Sequence, residues 1–196
     1  RNYSNEGKYF YVDSYFANSI LETTYSTLAH EFQHMIDWNT KDMLQDLDPS
    51  TWYNEMLSML CEDMMQSYLG IDDDDSPKGR LPTFNQYYRY VGLEYNDTNT
   101  SYAVISYATA YAFGAWCARQ FGGAELLSAI SQNSSVDTDS IIAAIYTVTG
   151  TKYSIADLLK MYAEACVFNT SDTSYSYPTF NQDAATTLSY SDSFYS

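Results

Sequence analysis

The hydrophobic and polar positions of this 196-residue chain mark one short alternating stretch and then a series of helical periods. KYFYVDSYF (8–16) alternates aromatic and polar side chains and is rich in β-formers, which predicts a strand. Helical spacing takes over from about Leu21 or Thr24 and runs through Trp38, with serine and threonine at hand for capping. KDMLQDLDPST (41–51) is acidic, contains proline and reads as a loop holding at most one helical turn. Ser50 or Thr51 is then placed to cap a second helix, WYNEMLSMLCEDMMQSYLG (52–70), which stops at Gly70. IDDDDSPKGRLPT (71–83) is a turn-rich acidic loop, TFNQYYRYVGLEY (83–95) fits helix and strand equally, and NDTNTS is another loop. An apolar helix over 102–120 ends at the glycines of QFGG, and three shorter helices follow in AELLSAIS, DSIIAAIYTVTG and SIADLLKMYAEACVF. From Asn169 the chain is rich in Ser, Thr and Tyr and reads as a strand, a linker or a frayed tail (169–196). One strand followed by helices makes a mainly α (α+β) chain, expected to form a single domain over 1–196.

Composition narrows this picture. At 45% hydrophobic residues the chain belongs with globular proteins. The 21 tyrosines bring rings with polar tips, suited to half-buried walls and clefts. Nine Lys plus Arg against 25 Asp plus Glu give a net charge of −16, which argues against nucleic acid or an anionic membrane surface as partner. The acidity suits an extracellular or cell-surface protein. SYAVISYATAYAFGAWCA (101–118) carries no charge over 18 residues, but its serines, threonine, glycine and tyrosines favour a buried helix over a membrane span. Cys61, Cys117 and Cys166 are odd in number and widely spaced, and so are expected as small buried hydrophobes rather than a disulfide framework. The chain begins at Arg1 with no leader, which reads as a processed fragment or a domain of a longer chain.

Chemistry concentrates in TLAHEFQHMIDW (27–38), which holds both histidines of the chain. His30 and His34 are one helical turn apart on the same face, and Glu31 adjoins the first. This is the HExxH pattern, in which two imidazoles bind zinc and the glutamate serves as general base. Leu28, Phe32, Met35 and Ile36 flank it at helical spacing and are expected to seat the helix in a core. A catalytic zinc takes three protein ligands, and with no histidine left the third must be a carboxylate or a cysteine. Glu55, 20 residues after His34 on the next predicted helix, is the best candidate, with Glu62 and Asp63 as competitors. The Asp72–Asp75 run offers oxygens for calcium but lacks the alternating spacing of a calcium loop, and reads as a solvated acidic turn.

HEFQH followed by NEMLS resembles the gluzincin metallopeptidases, in which a downstream glutamate completes HExxH, and within them the bacterial hyicolysin-type family. The likeness extends to SYATAYAFGAWCARQFGG and TGTKYSIADLLKMYAEA and covers about residues 8–168. It implies a zincin-like domain with a short N-terminal strand region, an active-site helix and a helical C-terminal lobe. It implies one catalytic Zn²⁺ held by His30, His34 and Glu55, and a zinc-bound water activated by Glu31. The implied function is endopeptidase hydrolysis of protein or peptide substrates. Tyr107 is the implied donor to the oxyanion, with Tyr111 as runner-up. Some members place an aspartate four residues after the ligand glutamate to orient a histidine; here that position is Met59. Glu62, or Asp37 one turn past His34, is left to take that part. A second reading is a non-catalytic surface or binding module that keeps the zinc fold.

Overall fold

The computed structural model describes residues 9–94 and 100–168. The loop expected at NDTNTS lies largely outside these residues, and the stretch from Asn169 wholly so. Eight α-helices occur among them: α1 (Ser14–Ser19), α2 (Leu21–Asp37), α3 (Thr51–Leu69), α4 (Leu81–Tyr87), α5 (Thr100–Phe121), α6 (Ala124–Gln132), α7 (Asp137–Thr149) and α8 (Ile155–Phe168). The fold is mainly helical, and the strand expected at 8–16 is not among the described residues. Residues 9–13 are irregular, and Asp13 caps α1 by accepting a hydrogen bond from the Tyr15 backbone N–H at 2.7 Å. A local side-chain cap has won over β-propensity, which counts for little without a neighbouring strand to complete the ladder.

The helices end where their sequence signals lie. Gly70 closes α3 and Gly150 closes α7, both in the left-handed conformation (φ 68° and 70°). Gly122 and Gly123 also take positive φ and turn the chain from α5 into α6. Ser50 stands at the N-cap position of α3 but does not cap it. Its hydroxyl donates to Asp137 Oδ2 at 2.8 Å and its N–H to Asp137 Oδ1 at 3.0 Å, tying α3 to the start of α7. The expected loop after α2 begins instead as a π-helical continuation, Trp38–Met43.

The core is built on α3 and α5. Tyr53, Met56, Leu57 and Leu60 of α3 meet Tyr111, Phe113 and Trp116 of α5, all essentially without solvent contact. Gly114 lets the two helices approach closely, since a Cβ there would lie 2.5 Å from Met56 Cγ. Tyr162 of α8 completes an aromatic cluster, 5.4 Å from Phe113 and 5.5 Å from Trp116 between ring centroids. None of the described helices is long and apolar enough to cross a membrane. Cys61, Cys117 and Cys166 are free thiols.

Polar contacts set the register of these helices. Arg119 of α5 grips Asp63 of α3 through two hydrogen bonds of 2.6 and 3.1 Å, both side chains buried. Lys41, fully buried in the π-helical segment, donates to the carbonyls of Asn133 (2.6 Å) and Ser135 (2.9 Å) between α6 and α7. The inward face of α2 is also polar. Ser26, Gln33 and Asp37 are buried, whereas Phe32 is 53% exposed. The expectation that Phe32 would seat α2 in a core is thus corrected. Leu28 faces the N-terminal segment, where it lines a pocket of about 230 Å³ with Phe10, Phe16 and Ile20. The polar face tolerates burial because its groups satisfy each other and their partners across the interface.

Candidate metal centre

Helix α2 packs on α3, and their facing side is where the HExxH residues meet the glutamates of α3. Ser26, His30, Gln33 and Asp37 recur every three or four residues and so form one stripe along α2. On α3, Glu55 and Glu62 are two turns apart on one face. His30 lies between them. Its Nε2 is 3.1 Å from Glu55 Oε2, and its Nδ1 is 2.6 Å from Glu62 Oε1. His34 Nε2 is 3.0 Å from His30 Nε2 and 3.6 Å from Glu55 Oε2. Three donor atoms from His30, His34 and Glu55 therefore converge, and among the described residues they form the single cluster able to hold a metal.

The donor set fits zinc. A tetrahedral ion with bonds of about 2.0–2.2 Å holds its ligand atoms about 3.3–3.6 Å from one another. The separations here are 3.0, 3.1 and 3.6 Å, so adjustments of a few tenths of an ångström suffice. Two imidazoles and one carboxylate, with the remaining direction open, is the ligand type of catalytic rather than structural zinc sites.

Glu62 fixes the tautomer. A carboxylate only accepts, so the His30 Nδ1–H donates to it and, in the neutral ring, the Nε2 lone pair faces Glu55 and His34. The other oxygen of Glu62 accepts from the Ser26 hydroxyl at 2.5 Å, which holds the carboxylate in place. Burial opposes a charge on His30, but the hydrogen bonds and charges of Glu55 and Glu62 outweigh it and push the pKa up to about 9. Burial likewise opposes ionisation of Glu55, and the hydrogen bonds from His30 and His34 reverse this, holding it at about 2.

The alternatives left open by the sequence separate cleanly. Asp63, a competitor for the third ligand, is taken by Arg119, and Glu62 contacts the outer nitrogen of His30 rather than the donor cluster. Asp37 contacts neither histidine by hydrogen bond; it accepts from Gln33 Nε2 (3.0 Å) and from Ser131 Oγ of α6 (2.9 Å). Burial raises its pKa. Met59 packs in the core.

A cleft of about 640 Å³ opens beside the cluster, lined by His30, Glu31, Glu62, Asp74, Arg80 and Tyr107 among others. Glu31 is exposed toward it. Tyr107 is half-buried; burial, followed by the charge of Glu55 and a hydrogen bond to it, pushes its hydroxyl pKa up to about 12. It stays a proton donor throughout the neutral range. Tyr111, the runner-up, is fully buried in the core and does not line the cleft. Across the cleft the acidic run Asp72–Asp75 is exposed along its whole length, as a solvated turn should be. Within it Asp73 Oδ1 accepts from Gln66 (2.7 Å) and Lys78 (3.1 Å), and Ser76 and Pro77 just beyond it are buried.

The peptidase M30 family model matches residues 1–194 of the chain. The chain belongs to the peptidase M30 family. This is the hyicolysin family that HEFQH and NEMLS resemble, and membership carries metallopeptidase function and protein as the substrate class. A search among curated proteins finds no match. One feature of this M30 site was not anticipated from the sequence. The Arg80 guanidinium lies over the Tyr107 ring, 5.3 Å from its centroid. Its only signal in the sequence is scarcity, one of nine cations beside an acidic run.

Proposed function

We propose that the chain is a zinc-dependent endopeptidase that cleaves protein peptide bonds with Glu31 as general base. The observation that carries this is the convergence of His30, His34 and Glu55 at 3.0–3.6 Å, beside a cleft that Glu31 also lines. Zinc in that position would supply Lewis acidity, polarising the scissile carbonyl and making water acidic near neutral pH. Glu31 takes a proton from the attacking water and delivers it to the leaving amine. Tyr107, kept protonated, donates a hydrogen bond to the oxygen on which negative charge develops. Glu62 keeps the His30 tautomer fixed while these steps proceed.

Two variants test the reading against the alternative of a non-catalytic zinc-fold module. Glu31→Gln should retain one zinc per chain, measured by elemental analysis, while proteolysis falls by about 10²–10⁴-fold. Glu55→Ala should lose most of its zinc. Undiminished proteolysis by Glu31→Gln would overturn the general-base role, and full zinc retention by Glu55→Ala would overturn the ligand set.

A further inference from the structure

The cleft wall is anionic, with Glu31, Glu62, Asp74 and Asp75 all lining it, and Arg80 is its one lysine or arginine. Half-buried, Arg80 makes no ion pair with any described residue; its one recorded contact is the face of Tyr107. Two other charged groups of the loop have partners of their own. Asp73 holds Lys78 and Gln66, and Asp75 Oδ1 accepts from Thr23 Oγ1 at 3.3 Å. A Cβ on Gly79 would lie 2.8 Å from the Asp74 carbonyl oxygen, so the backbone doubles back tightly just before Arg80. A guanidinium stacked on a ring keeps its N–H edges available, and those edges form a fork matched to a carboxylate. With none of the wall's carboxylates in direct contact, such a partly desolvated cation gains from a ligand that supplies an ion-pair partner.

We propose that Arg80 anchors a carboxylate of the substrate next to the scissile bond, which rests on the peptidase reading above. Away from the metal position the wall's carboxylates repel a substrate acid and Arg80 attracts it, so the pairing fixes the register of the chain as well as its affinity. Two sources present this chemistry: an Asp or Glu side chain, or the free C-terminus of a short peptide.

The experiment uses the full, zinc-loaded chain and matched quenched peptides in which a single Glu, or Gln as its neutral partner, occupies successive positions. Each is made with a C-terminal acid and with an amide. The wild type should favour the carboxylate-bearing member of one pair by about tenfold or more in kcat/KM. That ratio should collapse toward one in Arg80→Gln and recover in part in Arg80→Lys. Side-chain pairs responding identify an acidic-residue preference; acid–amide pairs responding identify the C-terminus. A role limited to supporting Tyr107 would lower both members of every pair equally and leave the ratio intact, overturning the proposal. So would a preference for basic peptides that Asp74→Asn or Asp75→Asn removes.

Binding separates this idea from the reaction itself. In the Glu31→Gln background, fluorescence anisotropy should report the same carboxylate preference and its loss on adding Arg80→Gln. If no peptide is cleaved but this binding pattern holds, the endopeptidase reading fails and the anchor stands. If peptides are cleaved without any carboxylate preference, the anchor fails and the reading stands.

Discussion

Removing Glu62 is the sharpest perturbation of the metal centre that leaves every proposed ligand in place. Glu62 touches His30 Nδ1 at 2.6 Å and is itself held by Ser26, with only 13% of its side chain exposed. Loss of a carboxylate that orients a ligating histidine costs about 10–100-fold in metal affinity, or about 1.4–2.7 kcal/mol. A second effect runs the other way. In the metal-free chain Glu62 helps hold the His30 pKa at about 9, so near neutral pH a proton must leave before metal binds. Expelling it near pH 7 costs about 2.7 kcal/mol for the two-unit gap, and Glu62→Ala relieves part of that cost. The two effects are similar in size near pH 7 and oppose each other. Near pH 9 the proton competes weakly and the orienting effect stands alone.

The expected result is therefore a pH-dependent deficit. Competition against a chromophoric chelator should show Glu62→Ala binding zinc about 10–100-fold more weakly near pH 9, with a smaller deficit near pH 7. Ser26→Ala, which only loosens Glu62, should follow the same pattern with a smaller amplitude. Unchanged zinc affinity of Glu62→Ala near pH 9, in a variant with wild-type circular dichroism, would refute the reasoning.

Two further outcomes follow from the same geometry. The metal-stripped chain should be most stable between about pH 4.5 and 6.5. Its His30 contribution, from a pKa raised from 6.5 to about 9, is complete below 6.5 and lost as pH rises through 9. The Glu55 contribution, from a pKa lowered from 4.5 to about 2, is present above 4.5 and lost as pH falls toward 2. The alkaline loss is at most about 3 kcal/mol, shared by His30 and its two carboxylates, and melting temperatures that stay level from pH 6.5 to 9 would contradict it. Gly114→Ala gains about 0.5–1 kcal/mol of helix propensity but forces a methyl against Met56 at about 1–3 kcal/mol, so denaturant unfolding should report a net loss of about 1–2 kcal/mol. Equal or greater stability would mean that α3 and α5 separate without cost.

The helices were legible because their signals are local. Gly70, Gly150 and the Gly122–Gly123 pair stop helices where the sequence says they should. His30 and His34 face the same way through helical periodicity alone, and two glutamates seven apart on the next helix had to share a face. What could not be read depends on partners far away in the chain. Gln33 and Asp37 are buried because Ser131, more than ninety residues on, completes their hydrogen bonds. A local window sees only that Phe32 is apolar and they are not, and so assigns the wrong face. The strand at 8–16 failed for the same reason in reverse, since alternation predicts a strand only where another strand is present to pair with it. The Asp72–Asp75 run is exposed as its charge predicts, but the gathering of Gln66 and Lys78 on Asp73 was not legible in it.

These long-range polar contacts bear directly on the metal centre. Glu55 and Glu62 lie about 10 Å apart along the α3 axis and lean toward each other to reach opposite nitrogens of one imidazole ring. Sliding α2 by one turn along α3 would break both contacts, and Ser26–Glu62 with them. Asp63, the next residue on α3, is clamped to α5 by Arg119, and α5 also carries Tyr107. At the far end of α2, Asp37 reaches Ser131 of α6, and Lys41 just beyond it ties the chain to the α6–α7 connection. Buried polar pairs of this kind contribute little net stability compared with apolar packing, but a misaligned register leaves them unpaired at several kcal/mol apiece. An apolar α2–α3 interface would tolerate small slips between the helices. The polar one does not, which accounts for a helix that carries candidate metal ligands having a hydrophilic buried face while its phenylalanine faces solvent.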